Sequence, residues 1–172
     1  MLIVPNIKPA RILLSAINGY GYYYLKALRD EVPESDAFVA GVVDPEAEKS
    51  SHFSWLSEEK IPVFDRIEDY FQSGYSADLT VISSPPQFHV SQAVIAINQG
   101  SQVLVDKPVG VTVDSVNELI SIKDKTGLSV EVGYQWSFSN AIQNLKQDIL
   151  TGIYGDPVRF KSICLWPRDN NY

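Results

Sequence analysis

Short, continuously apolar runs alternate along the chain with longer stretches in which apolar residues recur every three or four positions. Arg11-Ile12-Leu13-Leu14-Ser15-Ala16-Ile17 reads as a buried strand, because a strand covered on both faces loses the in-out alternation of a half-exposed one. Asn18-Gly19 supplies a turn. A helix bearing Leu25, Leu28 and Val32 follows and stops before Pro33. Further strands are predicted at 38–43, 61–64, 79–82, 103–105 and 128–132. Between them the spacing predicts helical stretches through Leu56, at 65–72, at 89–98 ended by Gly100, and at 114–125 ended by Gly127. Strand and helix in this alternation make βαβ units, and right-handed crossovers then place helices on both faces of one sheet. The expected fold is α/β, a doubly wound parallel sheet of Rossmann type over residues 1–132.

The pattern changes from residue 133. Ser139 or Asn140 can cap a helix bearing Ile142, Leu145, Ile149 and Leu150, closed by Gly152. After the Gly155-Asp156-Pro157 turn, residues 158–166 read as a strand with large apolar side chains such as Phe160 and Trp166. One helix and one strand do not make a domain. Residues 133–172 are therefore expected to be a linker and the truncated start of a second α+β domain. Its unpaired strand edge would favour a homo-oligomer.

Composition narrows the functional classes. Fourteen basic and twenty-one acidic side chains leave a formal charge of −7, the wrong sign for nucleic acid or an anionic membrane surface. An anionic ligand would have to be held by local backbone donors. The single cysteine, Cys164, excludes an internal disulfide and fits a reducing compartment. The N-terminus has no basic flank or cleavage pattern, and no run approaches the about 18 apolar residues of a membrane helix. A cytoplasmic soluble protein is expected. No metal-ligand spacing occurs.

The turn after the first strand is the first candidate for chemistry. Dinucleotide-binding loops place glycine at three positions: for the turn, for close approach of pyrophosphate, and for helix–strand packing. Starting the fingerprint at Gly19 puts Tyr24 where close packing is needed. Starting it at Ala16 puts Asn18 at the phosphate position and Gly21 at the packing position, and this register is preferred. Asn18 tolerates the turn conformation, and its side chain is expected to be able to donate to phosphate. Gly19 and Tyr20 complete the loop, with Tyr20 the member of the tyrosine cluster nearest a cofactor. Asp44 ends the second strand about 20 residues further on, where an acid binds the adenosine ribose hydroxyls and repels a 2′-phosphate. That favours NAD over NADP. A turn-forming Asp before Pro45 is the plainer alternative.

Two later strand ends carry a resemblance. Ser83-Ser84-Pro85-Pro86-Gln87-Phe88-His89 follows the fourth strand. Gly100-Ser101-Gln102-Val103-Leu104-Val105 leads into Asp106-Lys107-Pro108. Their joint spacing, with Gly133-Tyr134-Gln135 and the Gly155-Asp156-Pro157 turn, resembles the Gfo/Idh/MocA family of NAD(P)-dependent oxidoreductases, with Asp106 in place of the usual glutamate. The resemblance implies that Lys107 lies beside the nicotinamide ribose and the substrate, where a cation orients a hydroxyl or carbonyl and stabilises alkoxide charge. Asp106 and Pro108 flank it. The resemblance also places Ser83, Ser84 and Pro85 along the nicotinamide side, His89 near the cofactor cleft and Gln135 where the linker returns to the active site. A polar residue at a helix N-terminus is the other reading of His89.

The family's acid/base histidine belongs to the second domain, and no histidine follows His89 here. The expectation is an amino-terminal part of an NAD-dependent oxidoreductase acting on a sugar, polyol or related hydroxyl compound, silent by itself. The alternative is a non-catalytic dinucleotide-binding module for sensing or assembly.

Overall fold

The computed structural model describes residues 8–165 and 167, which form two compact units dividing after Gly133. In the first unit, six parallel strands stand in the order β3-β2-β1-β4-β5-β6. They are β1 (Ala10–Ser15), β2 (Ala37–Val43), β3 (Val63–Phe64), β4 (Leu79–Ile82), β5 (Gln102–Val105) and β6 (Val130–Val132). The connecting helices are α1 (Gly21–Asp30), α2 (Phe53–Glu58), α3 (Ile67–Gln72), α4 (Pro86–Asn98) and α5 (Val113–Thr126). This is the Rossmann strand order, whose direction of growth reverses between β1 and β4.

Successive residues of β1 point to opposite faces, so one strand feeds two cores. Ile12 and Leu14 join Leu25, Val42 and Leu56 on the side of α1 and α2. Leu13 joins Ile82, Ile97, Val105 and Leu119 on the side of α3, α4 and α5. A run buried on both faces is what made β1 legible as continuous apolar sequence. In β2, Gly41 makes room for the buried ring of Tyr70, since a Cβ there would meet the ring at 2.4 Å.

Local chemistry sets the helix ends. Thr112 Oγ1 accepts the Ser115 N–H at the start of α5, and Gly127 closes that helix in the left-handed region. The predicted first strand runs two residues too long. Ala16 takes φ +68°, which a strand cannot continue through. The polar stretch through Leu56 resolves into a 3-10 turn at Ala47–Lys49 followed by α2.

In the second unit, Gln135–Phe138 form a 3-10 turn and α6 spans Asn140–Thr151. Ser139 caps α6 through its side chain, and Gly152 ends it at φ +67°. Ile142, Leu145 and Ile149 form a half-exposed apolar stripe on this helix. The strand expected at 158–166 is not formed over 158–165, and Trp166 lies outside the described residues. A ladder needs a neighbour, and no strand of this unit is present among the described residues to pair with it. Phe160 is instead 84% exposed. The expected association through a strand edge loses the element it required.

Among the described residues, no helix is long and apolar enough to cross a membrane. Nor is there a group of three or more His, Cys, Asp or Glu side chains that could hold a metal ion.

Candidate functional site

A cleft of about 770 Å³ opens at the carboxyl ends of the strands in the first unit, in the crevice where doubly wound sheets bind ligands. Its floor is made by the ends of β1, β2 and β4: Ser15 and Ala16, Val43 and Asp44, Ser83 and Ser84. Asn18, Gly19 and Tyr20 form one wall and Pro85 part of another. Eight of the predicted binding residues, Ala16, Asn18, Gly19, Tyr20, Asp44, Ser83, Ser84 and Pro85, thus share one cavity.

The turn after β1 has the dinucleotide register that begins at Ala16. Ala16 occupies the left-handed position that the first glycine of the fingerprint normally fills. Gly21 begins α1 so close to β1 that a Cβ on it would lie 2.0 Å from the carbonyl oxygen of Ala16. Gly21 is thus the packing glycine, beneath the loop rather than in the cavity wall. Ser83 holds the same turn from β4, its Oγ donating to the Ala16 carbonyl at 3.2 Å. The N-terminus of α1 has no side-chain cap. Of its first-turn N–H groups, Gly21 donates to the Asn18 carbonyl and Tyr23 to the Tyr20 carbonyl, so the positive end of the helix dipole, rather than a row of free donors, is what this terminus offers a phosphate.

Asp44 is buried and already engaged. Its Oδ2 accepts the backbone N–H of Ile17 at 2.9 Å and the Asn18 side-chain amide at 3.1 Å, while Oδ1 accepts the N–H of Glu46 at 2.8 Å. The carboxylate therefore shapes the phosphate turn as well as lining the cleft. Two carboxylate oxygens offer about four lone-pair sites, so room for a further donor remains. Asn18 requires a correction: its amide also donates to the Glu46 carbonyl at 3.0 Å, so both N–H bonds are spent inside the protein. The carboxylate beside it wins that donor from any phosphate.

His89 requires a second correction. It is buried in α4 rather than facing the cleft, with Nε2 2.6 Å from the Ser84 carbonyl and Nδ1 2.7 Å from the Pro108 carbonyl. The ring ties the loop after β4 to the loop after β5. Asp106, Lys107 and Pro108 lie at the end of β5 outside the cavity lining. The Asp106 carboxylate accepts the N–H of Lys107 at 2.7 Å. The Lys107 side chain is exposed, and no carboxylate among the described residues pairs with it. Tyr24 stands near Asp106, and burial first, then that carboxylate, pushes its phenol above the ordinary value. Gln135 begins the 3-10 turn of the second unit.

The sequence reading missed the α4 and α3 walls. Phe88, Ser91, Gln92 and Ile95 line the cleft from α4, and Arg66 and Ile67 from the start of α3. The α4 residues were recoverable, because 88, 91, 92 and 95 fall on one helical face opposite the buried His89, Ala93, Ala96 and Ile97.

Fold, loop register and cleft together define a Rossmann domain built for a dinucleotide. The sequence model of the Gfo/Idh/MocA oxidoreductase family, described as having an NAD-binding Rossmann fold, matches residues 13–134, and the chain belongs to that family. The scyllo-inositol 2-dehydrogenase (NAD(+)) of Bacillus subtilis is 24% identical over 154 residues, covering 88% of this chain and 43% of that protein. The 1-carboxy-3-chloro-3,4-dihydroxycyclohexa-1,5-diene dehydrogenase of Comamonas testosteroni is 37% identical over 83 residues, 48% of this chain and 21% of that one. The crystal structure of scyllo-inositol dehydrogenase from Lactobacillus casei with bound NAD(H) and scyllo-inositol superposes with a TM-score of 0.74 at 20% identity, over 87% of this chain and 43% of that one. The chain thus spans less than half the length of these relatives.

Proposed function

We propose that the first unit is the cofactor-binding domain of an NAD-dependent oxidoreductase that moves hydride between nicotinamide and a sugar, polyol or related hydroxyl compound. The observation that carries this reading is the Gly21–Ala16 contact beside the uncapped start of α1, which leaves space for a pyrophosphate next to the positive end of the helix dipole. The residues present fit the dinucleotide. Backbone of the Asn18–Gly21 turn would hold the phosphates, Asp44 the adenosine ribose, and Ser83, Ser84 and Pro85 the nicotinamide half. Asp44 also disfavours a 2′-phosphate, so NAD is preferred to NADP.

When bound, nicotinamide supplies the hydride acceptor or donor. Lys107 provides a positive charge that orients the substrate oxygen and stabilises alkoxide character. His89 fixes the loop bearing it, and Gln135 belongs to the chain segment that follows. Neither of the two histidines is available as the proton carrier, His52 and His89 both being buried. Proton transfer is therefore assigned to groups outside this chain, and residues 133–172 to the beginning of the substrate domain.

The single cysteine supports a cytoplasmic location. The apolar stripe of α6 supports self-association, which sedimentation velocity tests; a strictly monomeric species sinks that part of the proposal. Calorimetric titration with NADH and NADPH tests the cofactor. NADH is expected to bind more tightly, and failure of both to bind at millimolar concentration overturns the reading.

A further inference from the structure

Three polar side chains close the floor of the cleft without using all their hydrogen-bonding capacity. Ser15 ends β1, and its Oγ is buried and donates to Gln92 Oε1 at 3.0 Å. Ser84, just past β4, donates its Oγ to the same oxygen at 2.6 Å. In this arrangement the amide oxygen accepts both serine hydroxyls, one on each of its two lone pairs. The Nε2 end is turned away from the serines, and it donates to no protein atom among the described residues. Gln92 itself lines the cleft.

The position of this amide gives it a use. Strands β1 and β4 are neighbours at the point where the strand order reverses, and a dinucleotide lays its pyrophosphate across that point. A chain of net charge −7 brings no excess of cations to an anionic ligand, and Asn18 has already committed its own amide to Asp44 and Glu46. We propose that Gln92 is a cofactor-binding residue whose Nε2, oriented by Ser15 and Ser84, donates to the pyrophosphate of NAD(H). This rests on the cofactor reading above and adds a side-chain donor that the glycine fingerprint does not contain. Oriented donors cost little reordering on binding, which is how a neutral amide contributes to affinity for a charged group.

The test uses the whole chain, with NADH affinity from calorimetry and adenosine binding followed by ligand-observed NMR. Gln92→Glu keeps an oxygen for both serines but turns a carboxylate towards the phosphates. It is expected to lower NADH affinity by about tenfold or more while leaving adenosine binding and the melting temperature unchanged. Ser84→Ala removes one of the two hydroxyls that orient the amide and is expected to weaken NADH about threefold, again sparing adenosine. It serves as the deciding variant should Gln92→Glu fold poorly. If the unaltered chain binds NADH and the folded variants bind it equally well, the Gln92 assignment is wrong while the cofactor reading stands. Equal loss of NADH and adenosine binding also overturns it, since that is what a merely structural role produces. If the unaltered chain binds no NADH, the cofactor reading itself fails and takes this assignment with it.

Discussion

Gly21 starts α1 at a point where a Cβ would lie 2.0 Å from the carbonyl oxygen of Ala16, so the phosphate turn and the first helix can meet only through a glycine. Moving the Ser83 hydroxyl aside would not relieve this contact, because the two nearest obstructing atoms, the Ala16 carbonyl oxygen and carbon, are backbone. Gly21→Ala should therefore destabilise the first unit by about 2–3 kcal/mol and abolish NADH binding. Ala16→Gly should act in the opposite sense. Ala16 is held at φ +68°, and glycine relieves that strain at some entropic cost, for a net gain of about 1 kcal/mol or less. Urea denaturation of both variants checks the pair; a stability loss in Ala16→Gly would mean that the strain is not what it is taken to be.

Asp44 couples shape to selectivity. Asp44→Ala leaves the buried N–H of Ile17 without its acceptor and should cost about 1–3 kcal/mol. It should also narrow the preference for NADH over NADPH. Parallel titrations with the two nucleotides separate the effects: lost stability with unchanged discrimination would leave Asp44 as a purely structural residue.

His89 is expected to act at a distance. His89→Ala removes the link between the Ser84 and Pro108 carbonyls, should cost about 1–3 kcal/mol, and should loosen the loop bearing Lys107. Hydrogen exchange at the Lys107 amide reads this directly. Unchanged protection there would show that the ring does not hold that loop.

His52 carries the pH dependence. Its ring stacks on Tyr22 at 4.8 Å, Arg29 donates to Nδ1 at 2.9 Å, and the buried Nε2 finds no partner among the described residues. Burial, and then the Arg29 charge, hold its pKa below the ordinary 6.5. A histidine depressed in the folded state is protonated more readily when unfolded. Stability should therefore fall as pH drops below about 6.5 towards the folded value. His52→Phe keeps a ring against Tyr22 and removes the unpartnered N–H. It should flatten that slope and leave stability at neutral pH equal or higher, as followed by thermal unfolding across pH 5–8. A slope identical to that of the unaltered chain would exclude His52 as its source.

Most of the fold was legible because buried parallel strands leave largely apolar runs, and Leu79–Ile82, interrupted only by Thr80, and the last three residues of Gln102–Val105 are such runs with turn residues after them. The short edge strand Val63–Phe64 was placed by its neighbours as much as by its own residues. Residues 158–165 were misread for a related reason: an apolar pattern states that a segment can be a strand, whereas a strand exists only when a partner accepts its hydrogen bonds.

The amino-acid sequence by itself determined the alternation of strands and helices, the glycine that must stand at position 21, and the acidic and basic residues at the strand ends. These follow from local rules of periodicity, turn conformation and the βα crossover. Only the tertiary structure decided where the polar side chains spend their hydrogen bonds. Asn18 turns to Asp44, His89 bridges two carbonyls, and Ser15 and Ser84 converge on Gln92. Each of these pairings joins residues brought together by packing, and the choice of partner depends on distances of a few tenths of an ångström that no spacing along the chain encodes.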